Sequence, residues 1–72
     1  MQTEAEKVFQ LGVIEKSIAK SNEILAELNF VATGMSGTLL ENPVKRSMVE
    51  ATVYMKSVLE SLERGKKRLT EM

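Results

Sequence analysis

The chain has no cysteine, no histidine and no tryptophan, a single proline, four glycines and three aromatic side chains, Phe9, Phe30 and Tyr54. Each shortage closes something off. Without cysteine there can be no disulfide staple and no thiolate nucleophile, and the redox compartment goes unreported. Without histidine the commonest metal ligand and the usual acid and base of neutral pH are both missing. So few aromatics leave a single-strand nucleic-acid binder without stacking platforms. Long apolar runs are also lacking, the longest being three residues, as at Phe30 to Ala32, so no segment is expected to span a membrane. The opening stretch Met1-Gln2-Thr3-Glu4-Ala5-Glu6 carries neither the basic region nor the apolar run of a signal peptide, and a cytoplasmic location is the expectation. Ten basic and ten acidic side chains cancel, so bulk binding of duplex nucleic acid is not expected.

What the chain does have is heptad periodicity, twice. From Pro43 onward, Val44, Met48, Ala51, Met55, Val58, Leu62, Gly65, Leu69 and Met72 recur at alternating spacings of four and three. In the first half Leu11, Ile14, Ile18, Ser21, Leu25, Leu28 and Ala32 do the same. Such spacing averages 3.5 residues per turn and keeps an apolar stripe aimed at one partner helix. Thr3 with Glu6 fits a capping box that starts the first helix, and Gly34 is a plausible C-terminal cap. Asn42-Pro43 restarts the chain as N-cap and first helical residue. Leu39 and Leu40 form a short apolar turn between them. The expected fold is therefore all-α, one domain over 1–72, an antiparallel hairpin with helices at about 3–33 and 43–70.

With the turn centred near residue 38, Ile18 comes level with Val58, Leu25 with Ala51, Leu28 with Met48, and Gly12 with Gly65. Two readings of those glycines stay open. They permit a close backbone approach or a notch for another subunit, or they are tolerated helix defects costing about 1 kcal/mol each.

A single seam falls short of offsetting the ordering cost of a chain this small. Further apolar residues lie off both seams: Phe9, Val13, Ile24, Phe30 and Val31 in the first half, and Val49, Val53, Tyr54 and Leu59 in the second. A second apolar face points to assembly into a homo-oligomeric helical bundle, a dimeric four-helix bundle being the simplest closed form. Phe9, Val13, Ile24, Val31, Val49, Val53 and Leu59 are the candidate oligomer-interface residues.

No catalytic residue, cofactor site or metal site is expected. The Ser17/Lys20 pair has no supporting triad. Glu23 with Glu27, and Glu60 with Glu63, place carboxylates on one helix face, yet the histidines that complete a di-metal bundle site are absent. Gly34-Met35-Ser36-Gly37 lacks the Lys-Ser/Thr of a phosphate loop. Cations gather at Lys45-Arg46 and at Arg64, Lys66, Lys67 and Arg68. The second cluster first of all suits the end of a helix dipole, with anion binding the second reading. Arg64, Lys67, Arg68, Lys45, Arg46 and Tyr54 are the candidate anion-binding residues.

Two resemblances bear on this choice. Met48-Val49-Glu50-Ala51-Thr52-Val53-Tyr54 resembles the hydrophobic-Glu-Glu-Ala-x-x-aromatic stretch of small phage proteins that sequester cyclic oligonucleotides. That family's preceding Gly-Arg-Glu element is absent here, and no ligand-contacting residue carries over. The bend Met35-Ser36-Gly37 is similar to that of small secreted helical hairpins, without their tryptophan. The functional expectation is a non-enzymatic interaction module, an adaptor, inhibitor or secretion-associated partner, whose partners are itself or another helical protein. The alternative is a sponge holding an anionic nucleotide between subunits.

Overall fold

A computed structural model describes residues 3–72, and the first two residues of the stretch judged against a signal peptide lie outside it. Two helices, α1 (Glu4–Gly34) and α2 (Pro43–Glu71), pack against each other along their lengths. The body measures 53 × 16 × 12 Å, one helix thick in its smallest dimension. No helix of the described chain is long and apolar enough to cross a membrane.

The helix starts follow from local chemistry. Thr3 Oγ1 accepts from the Glu6 amide at 3.1 Å, and Glu4 and Glu6 put negative charge in the first turn, where the dipole favours it. Asn42 Oδ1 accepts from the amides of Val44 and Lys45, both at 3.1 Å, and Pro43 follows as the first helical residue. The end of α1 departs from expectation. Gly34 is the last helical residue rather than a left-handed cap, and Met35, in extended conformation, closes the helix with its amide on the Ala32 carbonyl. Among the described residues the one left-handed position is Gly37, with φ of 86°.

The connection is held by side chains. Asn42 Nδ2 donates to the Ser36 carbonyl at 3.0 Å, and Lys45 Nζ to the Gly37 carbonyl at 2.9 Å. Thr38 Oγ1 accepts from the Glu41 amide and donates to the Glu41 carboxylate, tying the turn across Leu39 and Leu40. Those two leucines stand out from the turn, Leu40 at 88% exposure.

The seam of α1 is the expected one: Leu11, Ile14, Ile18, Ser21, Leu25, Leu28 and Ala32 are all buried or half-buried. The seam of α2 is half the expected one. Met48, Met55, Leu62 and Leu69 are in it and Ala51 and Gly65 are half-buried at its edge, but Val44, Val58 and Met72 remain 58%, 44% and 75% exposed. The positions alternating with those four are Lys45, Thr52, Leu59 and Lys66, each one residue further on than expected. Thr52 is buried and returns its hydroxyl to the Met48 carbonyl at 2.9 Å, while the two lysines are half-buried. Leu59 is buried within the hairpin itself.

The register also differs from expectation. Lys66 meets Glu15 at 3.7 Å, and Lys7 Nζ donates to the Met72 carbonyl at 2.8 Å. These two rungs put the midpoint of the hairpin at Leu40. Ser21 then comes level with Leu59, Leu25 with Met55, Leu28 with Thr52 and Ala32 with Met48, every one at least half-buried. Gly12 and Gly65 are no longer at one height. A Cβ built on either meets nothing within 4 Å, so neither glycine serves a close approach inside the hairpin.

Candidate functional site

A hairpin has two flanks, one on each side of the plane containing both helix axes. In each helix the row of residues one position before the seam lines one flank, and the row one position after it lines the other. The first flank carries Gln10, Ser17, Ile24 and Val31 from α1 and Val44, Ala51, Val58 and Gly65 from α2, with no charge among them. The second carries Val8, Glu15, Asn22 and Asn29 opposite Val49, Lys56, Glu63 and Thr70. These eight positions of the first flank are uncharged, with Arg68 at the rim of its open end. The other flank holds the Glu15 carboxylate that pairs with Lys66.

The uncharged flank is contoured. At the open end of the hairpin, away from the turn, Gly65 leaves a groove of about 440 Å³ between the helices. Phe9, Val13 and Ile14 wall it from α1, and Arg68, Leu69 and Met72 from α2. Midway along α2, Tyr54, Val58 and Leu62 line a second, shallower depression. Near the turn Phe30, Val31 and Met35 line a third. The apolar surface therefore runs the length of the molecule.

The chain as a whole is extensively exposed. The chain exposes 5522 Å², whereas a compact folded monomer of its 8.0 kDa mass exposes about 4,450 Å². An excess of about 1,000 Å² is what a flat, elongated body must show, and much of it here is apolar. Phe9 is 72% exposed and Phe30 81%.

The residues singled out from the sequence divide three ways. Val13, Ile24 and Val31 lie on or beside the uncharged flank, and Phe9 reaches its groove. Val49 and Val53 share a depression with Leu39 of the chain's own turn and with Arg46. Leu59 belongs to the internal seam and is withdrawn from any outer face. The flank's α2 row, from Val44 to Gly65, is the row that reads as seam in the sequence; its spacing is identical to the seam's, one residue out of phase.

The candidate anion residues are not gathered into one place. Arg46 and Arg64 lie about 27 Å apart along α2 at 1.5 Å per residue. Lys45 is half-buried with its ammonium on the Gly37 carbonyl. Arg64 donates to Ser61 at 3.0 Å, and it shares a shallow depression with Lys67, Glu60 and Glu63, where the two carboxylates offset the two cations. Arg68 stands apart in the apolar groove, and Tyr54 shares its loop-end depression with Glu50 as well as Arg46. Among the described residues no three acidic side chains come together as a metal site would need. Ser17, with Lys20 one turn on, has no third group to complete a nucleophile.

Compared with models of known protein families, with curated proteins and with solved structures, the chain matches none.

Proposed function

We propose that this protein is a small non-enzymatic interaction module whose working surface is the uncharged flank of the hairpin, and that it functions as a homo-oligomer. One observation carries the reading. In a chain with twenty charged side chains, eight successive flank positions drawn from both helices hold none. Charge-free rows on neighbouring helices are the composition of a buried bundle face, and water is a poor permanent partner for them. The depleted charge, rather than the apolar content alone, separates this flank from ordinary protein surface. Nothing comparable supports the nucleotide-sponge alternative, because its six residues lie toward opposite ends of α2 with carboxylates among them.

Native mass spectrometry of the purified chain tests the proposal. A closed oligomer, at twice the 8.0 kDa chain mass or a higher multiple, is the expected species. A clean monomer at micromolar concentration would overturn it.

A further inference from the structure

Building on that reading, we infer that the occupant of the uncharged flank is a second copy of this chain, turned end for end, with the two-fold axis passing beside Val58. Area is the first argument. Two separate hairpins expose twice 5522 Å², and a compact body of their joint mass exposes about 7,400 Å². A compact dimer of this chain would therefore bury about 3,600 Å² in total, within the range of about 2,000 to 5,000 Å² seen for obligate dimers.

The second argument is how the flank pairs with itself. A two-fold beside Val58 sets Val58 against its own symmetry mate. It brings Ala51 level with Gly65 of the second copy, small against small, where the open space over Gly65 accepts the approach. On α1 the same axis falls level with Asn22, so Val13 comes level with Val31 of the second copy. Lys20 then lies within about one turn of both Glu27 and Lys20 of the second copy, so this contact is mixed in charge and does not set the arrangement.

Orientation is decided by charge. Arg64, Lys66, Lys67 and Arg68 crowd the open end of α2. With both turns at one end, two such clusters would share one end of the bundle. Turned end for end about Val58, each cation and its mate stand about 18 to 30 Å apart along the helices at 1.5 Å per residue, beyond the Debye length of about 8 Å.

The native absence of cysteine makes the test clean. The Val58→Cys variant, oxidised at several dilutions and read by intact mass under non-reducing conditions, is expected to convert almost fully to a disulfide dimer with a yield independent of dilution. A mixture of Ala51→Cys and Gly65→Cys chains is expected to give the mixed dimer. Two outcomes overturn the arrangement while leaving self-association standing: an oligomer by native mass spectrometry in which Val58→Cys stays reduced, or mixed Ile24→Cys and Val58→Cys chains linking in its place, which marks turns at the same end. A monomer throughout overturns both this arrangement and the reading beneath it.

Discussion

The two flanks of this hairpin share a seam, a turn and a length, and differ in almost nothing except charge. On one side Glu15 reaches Lys66, and Lys56 and Glu63 stand in the same row. On the other, Ile24 and Val31 face outward beside Val44, Ala51, Val58 and Gly65 with no ionised group between them. Helix formation is indifferent to that distinction, since both sides belong to the same two helices. The charged side is compatible with water as it stands, and the uncharged side gains from being covered. Two-helix hairpins are too thin to bury much, and here the thinness has been left unrelieved on one side only.

Placing a charge on the uncharged side is the most severe way to break the contrast. The double variant Ile24→Glu, Val58→Glu is expected to weaken self-association by at least about a thousandfold, because an unpaired buried carboxylate costs several kcal/mol at each site. Sedimentation or light scattering at a range of concentrations would register it. Retention of the oligomer in this variant would mean that another face carries assembly.

Next in size is Leu59→Ala, in the seam common to both flanks. Leu59 is 8% exposed within one chain, so truncation is expected to cost about 2 to 4 kcal/mol in denaturant unfolding. A loss below about 0.5 kcal/mol would move Leu59 out of the core.

The glycines sharpen the comparison more finely. Gly12→Ala, on the outer side of α1 with open space above it, is expected to raise stability by about 1 kcal/mol through helix propensity. Gly65→Ala has the same open space in the single chain, yet in the proposed dimer its methyl would meet the second copy, so its gain in thermal or denaturant unfolding should fall short of the Gly12 value. Equal gains for both would say that the Gly65 groove stays open in solution.

The smallest effect belongs to the charged side. Glu15→Gln removes an exposed pair at 3.7 Å and should change unfolding stability by less than about 0.5 kcal/mol, shrinking further in added salt.

Much of the fold is legible in particular residues. Thr3 with Glu6, and Asn42 with Pro43, announce both helix starts because a capping side chain and a missing amide suit only those positions. The α1 seam reads cleanly since no competing apolar row adjoins it along its length. The α2 seam reads one row off, for a physical reason: Val44, Ala51, Val58 and Gly65 repeat at the same interval as Lys45, Thr52, Leu59 and Lys66. Hydropathy favours the first set. Two half-buried lysines and a self-bonded threonine nonetheless take those positions, which a long side chain tolerates because it can bury methylenes and keep its ammonium wet. Shifting that row by one residue moves a supposed core stripe to the edge of the seam, so periodicity alone conceals the flank proposed as the working surface. The turn centre misplaced near residue 38 follows from the same shift. Gly34 misleads as a cap since the left-handed residue the chain requires sits further on, at Gly37.

The ties at the turn have a consequence for how the molecule comes together in time. Asn42 to Ser36, Lys45 to Gly37 and Thr38 to Glu41 join residues at most eight apart, whereas Lys7 to Met72 joins residues sixty-five apart. Loop-closure entropy makes the short ties early and the long one late. The hairpin therefore zips from a clasp, and amide exchange should slow progressively from the free ends toward the turn. The last teeth to close are those around Phe9, Gly65 and Met72. A second copy that settles its own turn beside those teeth would hold shut the end that each chain secures least well by itself.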